Sequence, residues 1–132
     1  MAGSYSDYLE DKILKHVFTN TAYTSPSAVY VALFTVAPDD TGGGTEVSTS
    51  GTAYVRKAAT FSVSGTATTA SNSAVVEFDT ATASWGTIVA FGIYDASSAG
   101  NLLCWADLTT SRAIDSGDIA RFPVDSLTIT QT

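Results

Sequence analysis

The sequence predicts a mainly β protein: an antiparallel β-sandwich, or a flattened barrel, of about seven or eight strands with one amphipathic N-terminal α-helix. Three observations carry this expectation. Apolar residues recur with a helical period in only one segment, at the N-terminus. Beyond it the period falls to two, in short runs rich in Val, Ile, Phe and Tyr. Those runs are separated by Gly, Ser, Thr and Asn clusters, the composition of turns between strands.

Residues 5–18 (YSDYLEDKILKHVF) form the expected helix. Tyr5, Leu9, Ile13 and Val17 repeat at four-residue spacing, and Leu14 and Phe18 widen the stripe. Ser6 or Asp7 is placed to cap it, and Asp7 with Glu10 has capping-box spacing. Acids lead and Lys12, Lys15 and His16 trail, as the helix dipole favours. Asn20 is a stop.

Residues 28–36 (AVYVALFTV) read as a strand buried on both faces or nearly so, ended by Pro38. Residues 38–52 (PDDTGGGTEVSTSGT) have no periodicity and three consecutive glycines. They are expected to be a long loop, mobile or ordered only by a neighbour. Strands are expected at 54–63 (YVRKAATFSV), 74–78 (AVVEF), 87–94 (TIVAFGIY) and 102–108 (LLCWADL), with a turn region at 65–72. Gly92 inside a strand signals a bulge or the close approach of an aromatic neighbour. Residues 114–118 (IDSGD) are a tight turn, and 119–124 and 126–130 are the last strands, Pro123 marking an edge or a break.

The length of 132 residues fits one domain, spanning 1–132, able to bury a core without staples. No apolar run approaches the roughly 18 residues of a membrane span. The opening MAGSYSDYLEDKILKH lacks the basic start and apolar block of a signal peptide, so exposure outside a cell is expected by another route, such as release on lysis. Net charge is −7, while only 14% of residues are charged. The six basic residues are scattered, which argues against nucleic acid, where clustered Lys and Arg release counterions. A surface of hydroxyls is cheap to desolvate and suits contact with other proteins.

The inventory for catalysis is thin. His16 is the lone histidine, on the helix beside Lys15, with no nucleophile or orienting group in sequence reach. The single cysteine, Cys104, lies between Leu103 and Trp105 and reads as a buried thiol. Glu77 and Asp79 could share a strand face as paired carboxylates do, but exposed acids are ordinary at strand ends. Asp39–Asp40 and Asp115 with Asp118 lack the ligand count of a calcium loop, and turn geometry explains them. TGGGT at 41–45 has no Lys-Ser/Thr after it, as a phosphate loop requires. No catalytic residue, metal ligand or cofactor is expected.

Several pieces, taken in order, resemble a family of small tailed-bacteriophage virion proteins. They are the helix YLEDKILKHVF, the step TAYTSPSAVYVALFT, the loop PDDTGGGTEVS, AYVRKAATFS, the Ser71–Asn72 step before AVVEFDTATASWGTIVAFGIYDA, and GNLLCWADLTTSRAIDSGD. Together they span nearly the whole chain. The resemblance implies a structural β-sandwich that attaches to the virion, tail-fibre-like or as head decoration and cement, without enzyme activity. WGTIVAFGIYD and GNLLCWADL would then form a core hairpin packed by Trp85, Phe91, Tyr94 and Trp105.

Between head and tail, the short chain, with no coiled coil, fibrous repeat or second domain, favours capsid cement. That reading places the protein on the capsid surface after synthesis in the host cytoplasm. Its partners would be the major capsid protein and copies of itself as a dimer or trimer, with no nucleic acid and no membrane. Contacts are expected from the helix and the long loop: Tyr5, Tyr8, Leu9 and Tyr23 as anchors, Asp39, Asp40 and Glu46 beside them. For Tyr5, packing on the chain's own sheet is the favoured alternative. The competing function is a tail-associated fibre or tail-tip protein that reads a receptor or carbohydrate, which a Trp85 or Trp105 exposed on a sheet face would support.

Overall fold

The computed structural model describes residues 3–63 and 68–130. It is mainly β and antiparallel, with one helix near the N-terminus, as the sequence predicts.

The main sheet contains β1 (Gly3–Tyr5), β2 (Val29–Val36), β3 (Thr45–Glu46), β4 (Lys57–Ala59), β8 (Gly86–Tyr94) and β9 (Leu102–Ile114). Its order is β1-β9-β8-β2-β3, and β4 shares the far edge of β2 with β3. The second layer is built from small pieces. One is a three-stranded sheet of β5 (Phe61–Val63), β6 (Thr69–Asn72) and β11 (Thr128–Thr130); the other is a pair formed by β7 (Val76–Glu77) and β10 (Arg121–Phe122). Helix α1 (Asp7–Phe18) follows β1 directly.

Register decides which side chains are buried. Leu33 pairs with Phe91 and Phe91 with Ala106, so these three share one face of the main sheet. With Val31, Ile93 and Cys104 they meet Tyr54, Val76, Phe78, Trp85 and Leu127 in the principal core. One residue along, Ala32, Gly92, Trp105 and Ser4 line up across four strands and point the other way. That outer face carries a smaller cluster of Ala32, Phe34 and Ala90, with Tyr94 stacked on Phe34 at 6.3 Å. Gly92 gives close packing there: a Cβ would lie 2.9 Å from Leu102 Cδ1 and 3.0 Å from Phe34 Cε1, so both side chains would have to shift.

Several boundaries differ from expectation, each for a physical reason. The helix starts at Asp7 because Ser6 is its cap: the hydroxyl accepts the Leu9 N–H at 3.2 Å and donates to the Leu102 carbonyl. Tyr5 therefore belongs to β1, paired with Cys104. The expected strand 54–63 is two strands. The chain leaves β2 at Ala59 and joins β6 from Phe61, crossing between layers at Thr60, whose carbonyl accepts the Ser73 N–H at 2.8 Å. Within the expected turn 65–72, residues 69–72 are β6, paired with β11; residues 65–67 lie outside the described residues. The second hairpin strand runs on to Ile114, carrying a wide bulge. Ala90 opposes Asp107 and Ile88 opposes Arg112, so residues 108–111 bow out of the ladder.

The segment 38–52, expected to be a loop that is mobile or ordered only by a neighbour, is tied to the body of the protein by hydrogen bonds. Asp39 and Gly42 exchange backbone hydrogen bonds at 2.8 and 2.9 Å. Glu46 pairs with Phe34, Val47 donates its N–H to the Leu33 carbonyl at 3.0 Å, and Val47 and Thr52 are buried. The glycines serve geometry: Gly44 sits at φ +71° with room for no Cβ beside the Val36 carbonyl.

Candidate interaction surface

The most elaborate side-chain arrangement lies at the edge of the main sheet. β3 presents Glu46, and the segment leading into β4 brings Arg56 to it in a bidentate pair, Nε to Oε2 at 2.9 Å and Nη2 to Oε1 at 2.8 Å. The same guanidinium donates through Nη1 to the Ala96 and Ala99 carbonyls and lies 3.7 Å from the centre of the Tyr94 ring. The Tyr54 hydroxyl donates to Glu46 Oε2 at 2.7 Å and accepts the Leu33 N–H at 3.0 Å. Burial acts to lower the pKa of Arg56, but the hydrogen bond and charge of Glu46 outweigh it and leave the guanidinium raised. Burial, then the bond to Glu46, pushes the Tyr54 hydroxyl far up. This network ties the 38–52 segment and the 95–101 turn to the sheet. Glu46→Gln is expected to cost about 1–2 kcal/mol, because the half-buried guanidinium keeps its place but loses its counter-charge. Thermal unfolding should show it as a Tm lowered by several degrees.

A second junction lies where α1 meets the 38–44 turn. The Asp7 N–H donates to the Asp40 carbonyl at 2.8 Å, and Trp105 Nε1 donates to Asp40 Oδ1 at 3.1 Å. Between them opens a shallow cleft of about 290 Å³, lined by Asp7, Tyr8, Thr41, Tyr94 and Asn101 among others. Asp39 is occupied by the Thr41 hydroxyl and N–H, which hold its carboxyl below the ordinary value. Burial raises the Tyr23 hydroxyl, helped by the charges of Tyr8 and Asp95 nearby.

The contact residues expected from sequence therefore separate. Tyr8 and Asp40 line one cleft, with Tyr23 close to Tyr8. Tyr5, Tyr8 and Leu9 pack half-buried against the principal core. Glu46 is held in the Arg56 network, and Asp39 in its own turn. Of the four aromatics expected to pack the hairpin, Trp85 and Phe91 are in the core, whereas Tyr94 and Trp105 stand half-buried on the outer face. The hairpin register imposes this, since a residue opposite Gly92 cannot share the face of Phe91.

The groups weighed for chemistry lie apart. His16 accepts the Tyr23 N–H through Nδ1 at 3.3 Å. Glu77 faces Arg121 at 3.9 Å and Asp79 accepts from Lys57 at 2.9 Å, so the two acids answer different cations. Asp118 closes a turn onto the Asp115 N–H at 2.8 Å. Among the described residues no group of three His, Cys, Asp or Glu is placed to hold a metal ion, and no helix is long and apolar enough to cross a membrane. Cys104 is buried in the core, and burial pushes its thiol up to about 12. At pH 8 the native thiolate fraction is then roughly one in ten thousand. Iodoacetamide should modify the native protein at least about 100-fold more slowly than the urea-unfolded chain, followed by intact mass.

One exposed feature escaped the sequence reading. Leu14, Val17 and Phe18, counted there as helix stripe, face solvent. No local signal marks them: six apolar residues in twelve is the share an ordinary core-facing helix carries.

A family model described as podophage GP4 fiber I protein gp80 matches residues 4–130. The chain belongs to that family. No curated protein matches it. Membership makes the chain a phage virion structural protein of fibre type, in agreement with the resemblance read from its motifs.

Proposed function

We propose that this fibre-family protein is a structural component of a podophage tail, built into or onto a fibre, and that it acts by binding neighbouring virion proteins and not by catalysis. The family match across residues 4–130 carries the reading. It favours the tail over the capsid-cement role expected from the short chain. Shortness argued against a fibre shaft, but small units can also be assembled into one. The site geometry supports a binding role: polar side chains are spent on internal contacts, and among the described residues no nucleophile, base and orienting group converge.

The test is the abundance of the protein in purified virions, relative to the major capsid protein, by quantitative mass spectrometry. A tail component should be present as a small fraction, and should stay with the tails when heads are disrupted. A ratio near one, released with the heads, would return the protein to the capsid surface and overturn the proposal.

A further inference from the structure

The last two turns of α1 project from the body. The helix is held to the sheet through its first half, where Tyr8 and Leu9 reach the core. Beyond that, Leu14 is 57% exposed, Val17 61% and Phe18 77%. Isolated exposed apolar residues are ordinary, but these three are neighbours at i, i+3 and i+4. The end that carries them is fixed in shape. The Thr19 and Thr21 N–H groups both donate to the Lys15 carbonyl at 3.1 Å, the Thr19 hydroxyl joins them at 2.8 Å, and the Tyr23 N–H donates to His16. A presented and preorganised apolar surface loses little freedom on binding.

The same outward face continues toward the N-terminus as acid. Asp7 and Glu10 lie seven and four residues before Leu14, on its side of the helix. Both are exposed, and among the described residues neither forms an ion pair; Asp11 is matched by Lys15 at 2.9 Å. The face is thus apolar at one end and carries unanswered negative charge at the other. A second copy fits it poorly. Parallel helices would set Asp7 and Glu10 against their own equivalents, between chains of net charge −7. Antiparallel ends would bury three side chains from each copy, well short of the roughly 800 Å² per partner of a stable interface.

We propose that this face of α1 is the docking element of the protein, and that it seats in an apolar groove rimmed by Lys or Arg on a different virion protein. This rests on the reading of the chain as a tail component. Leu14, Val17 and Phe18 fill the groove as helix anchors, and Asp7 and Glu10 meet its basic rim and fix direction.

The experiment expresses tagged copies in the host during infection by wild-type phage, so that they compete with the native copy for places in the virion. Tagged wild type, Leu14→Ser/Phe18→Ser and Glu10→Lys are compared by mass spectrometry of purified particles. Circular dichroism of each variant checks the fold, which these exposed positions should leave intact. The double serine variant should be incorporated at least about tenfold less than tagged wild type, and Glu10→Lys several-fold less. Incorporation of the serine variant at the wild-type level would overturn the proposal while the native copy in the same virions leaves the tail assignment standing. Unchanged incorporation of Glu10→Lys would overturn the basic rim. Sedimentation of the isolated proteins decides the remaining alternative: an oligomeric wild type that the serine variant converts to a monomer would mean that the face covers another copy of itself. Absence of the native copy from virions would defeat the tail assignment itself.

Discussion

Trp85→Ala is expected to remove about 3–5 kcal/mol of stability. Small domains hold only about 5–15 kcal/mol, so the variant should be partly unfolded or aggregated at 37 °C. Trp85 sits at the meeting point of three parts of the chain. Its ring is edge-on to Tyr54 at 5.3 Å and to Phe78 at 6.2 Å, and Phe78 in turn contacts Phe122. Its indole N–H donates to the Thr52 carbonyl at 2.8 Å, and its backbone N–H to that of Ile114. Alanine keeps the backbone bond, empties the ring volume and leaves the Thr52 carbonyl only its longer hydrogen bond, from the Thr82 N–H at 3.3 Å. Neighbours drawn from separate segments cannot all relax into the gap, which puts the cost toward the top of the range. Urea unfolding followed by far-ultraviolet dichroism measures it, with Trp105 left as the fluorescent reporter. Trp85→Phe keeps most of the packing and loses the donor, so it should cost about half as much. A loss below about 1 kcal/mol for the alanine variant would place the centre of the core elsewhere.

That cluster also shows what the sequence could and could not convey. The strands β2, β8 and β9 were legible because their apolar residues are consecutive or alternate over many positions. Their facing was not. Both faces of the main sheet carry aromatic residues, Phe91 on one side and Phe34, Tyr94 and Trp105 on the other, so alternation alone assigns Trp105 to neither. Only pairing with Gly92 turns it outward. The short strands of the second layer were harder. β7 and β10 have two residues each, and their existence depends on partners 44 positions apart, Glu77 with Arg121. The split of 54–63 at Thr60 is likewise a matter of which sheet each half joins. Residues 38–52 look mobile because their composition is that of a loop, yet Glu46 and Val47 are fixed by Arg56 and Leu33. The helix was recognised and its two halves were not told apart: nothing local distinguishes Leu9, which meets the core, from Phe18, which meets solvent.

The Ser71–Asn72 step, one of the pieces that carry the family resemblance, has a physical role that yields the other large effect. Asn72 is completely buried. Its Nδ2 donates to the Ala74 carbonyl at 2.9 Å and the Pro123 carbonyl at 2.8 Å, and its Oδ1 accepts the Leu127 N–H at 2.9 Å. Its backbone adds bonds to the Leu127 carbonyl and from the Asp125 N–H. One side chain thus satisfies three backbone groups in a stretch too irregular to pair as a strand, and fastens the 123–127 turn to β6. Asn72→Ala removes all three bonds. The Pro123 carbonyl keeps the Ser126 N–H and hydroxyl, while the Leu127 N–H and the Ala74 carbonyl lose their side-chain partner. At about 1–3 kcal/mol for each buried group left unpaired, a loss of about 2–4 kcal/mol is expected. Asn72→Asp discriminates this account from simple loss of volume. Its carboxylate still accepts from Leu127 but turns bare oxygen toward the other two carbonyls, so at neutral pH it should be at least as damaging as alanine. Burial and those carbonyls raise the folded-state pKa of such an aspartate above its unfolded value. Its neutral form is therefore the one the fold favours, and the deficit should shrink as pH falls through that raised pKa. Alanine has nothing to protonate there, so the Asp-minus-Ala difference in urea midpoint isolates the hydrogen bonds. If the difference does not change with pH, Asn72 contributes through packing alone.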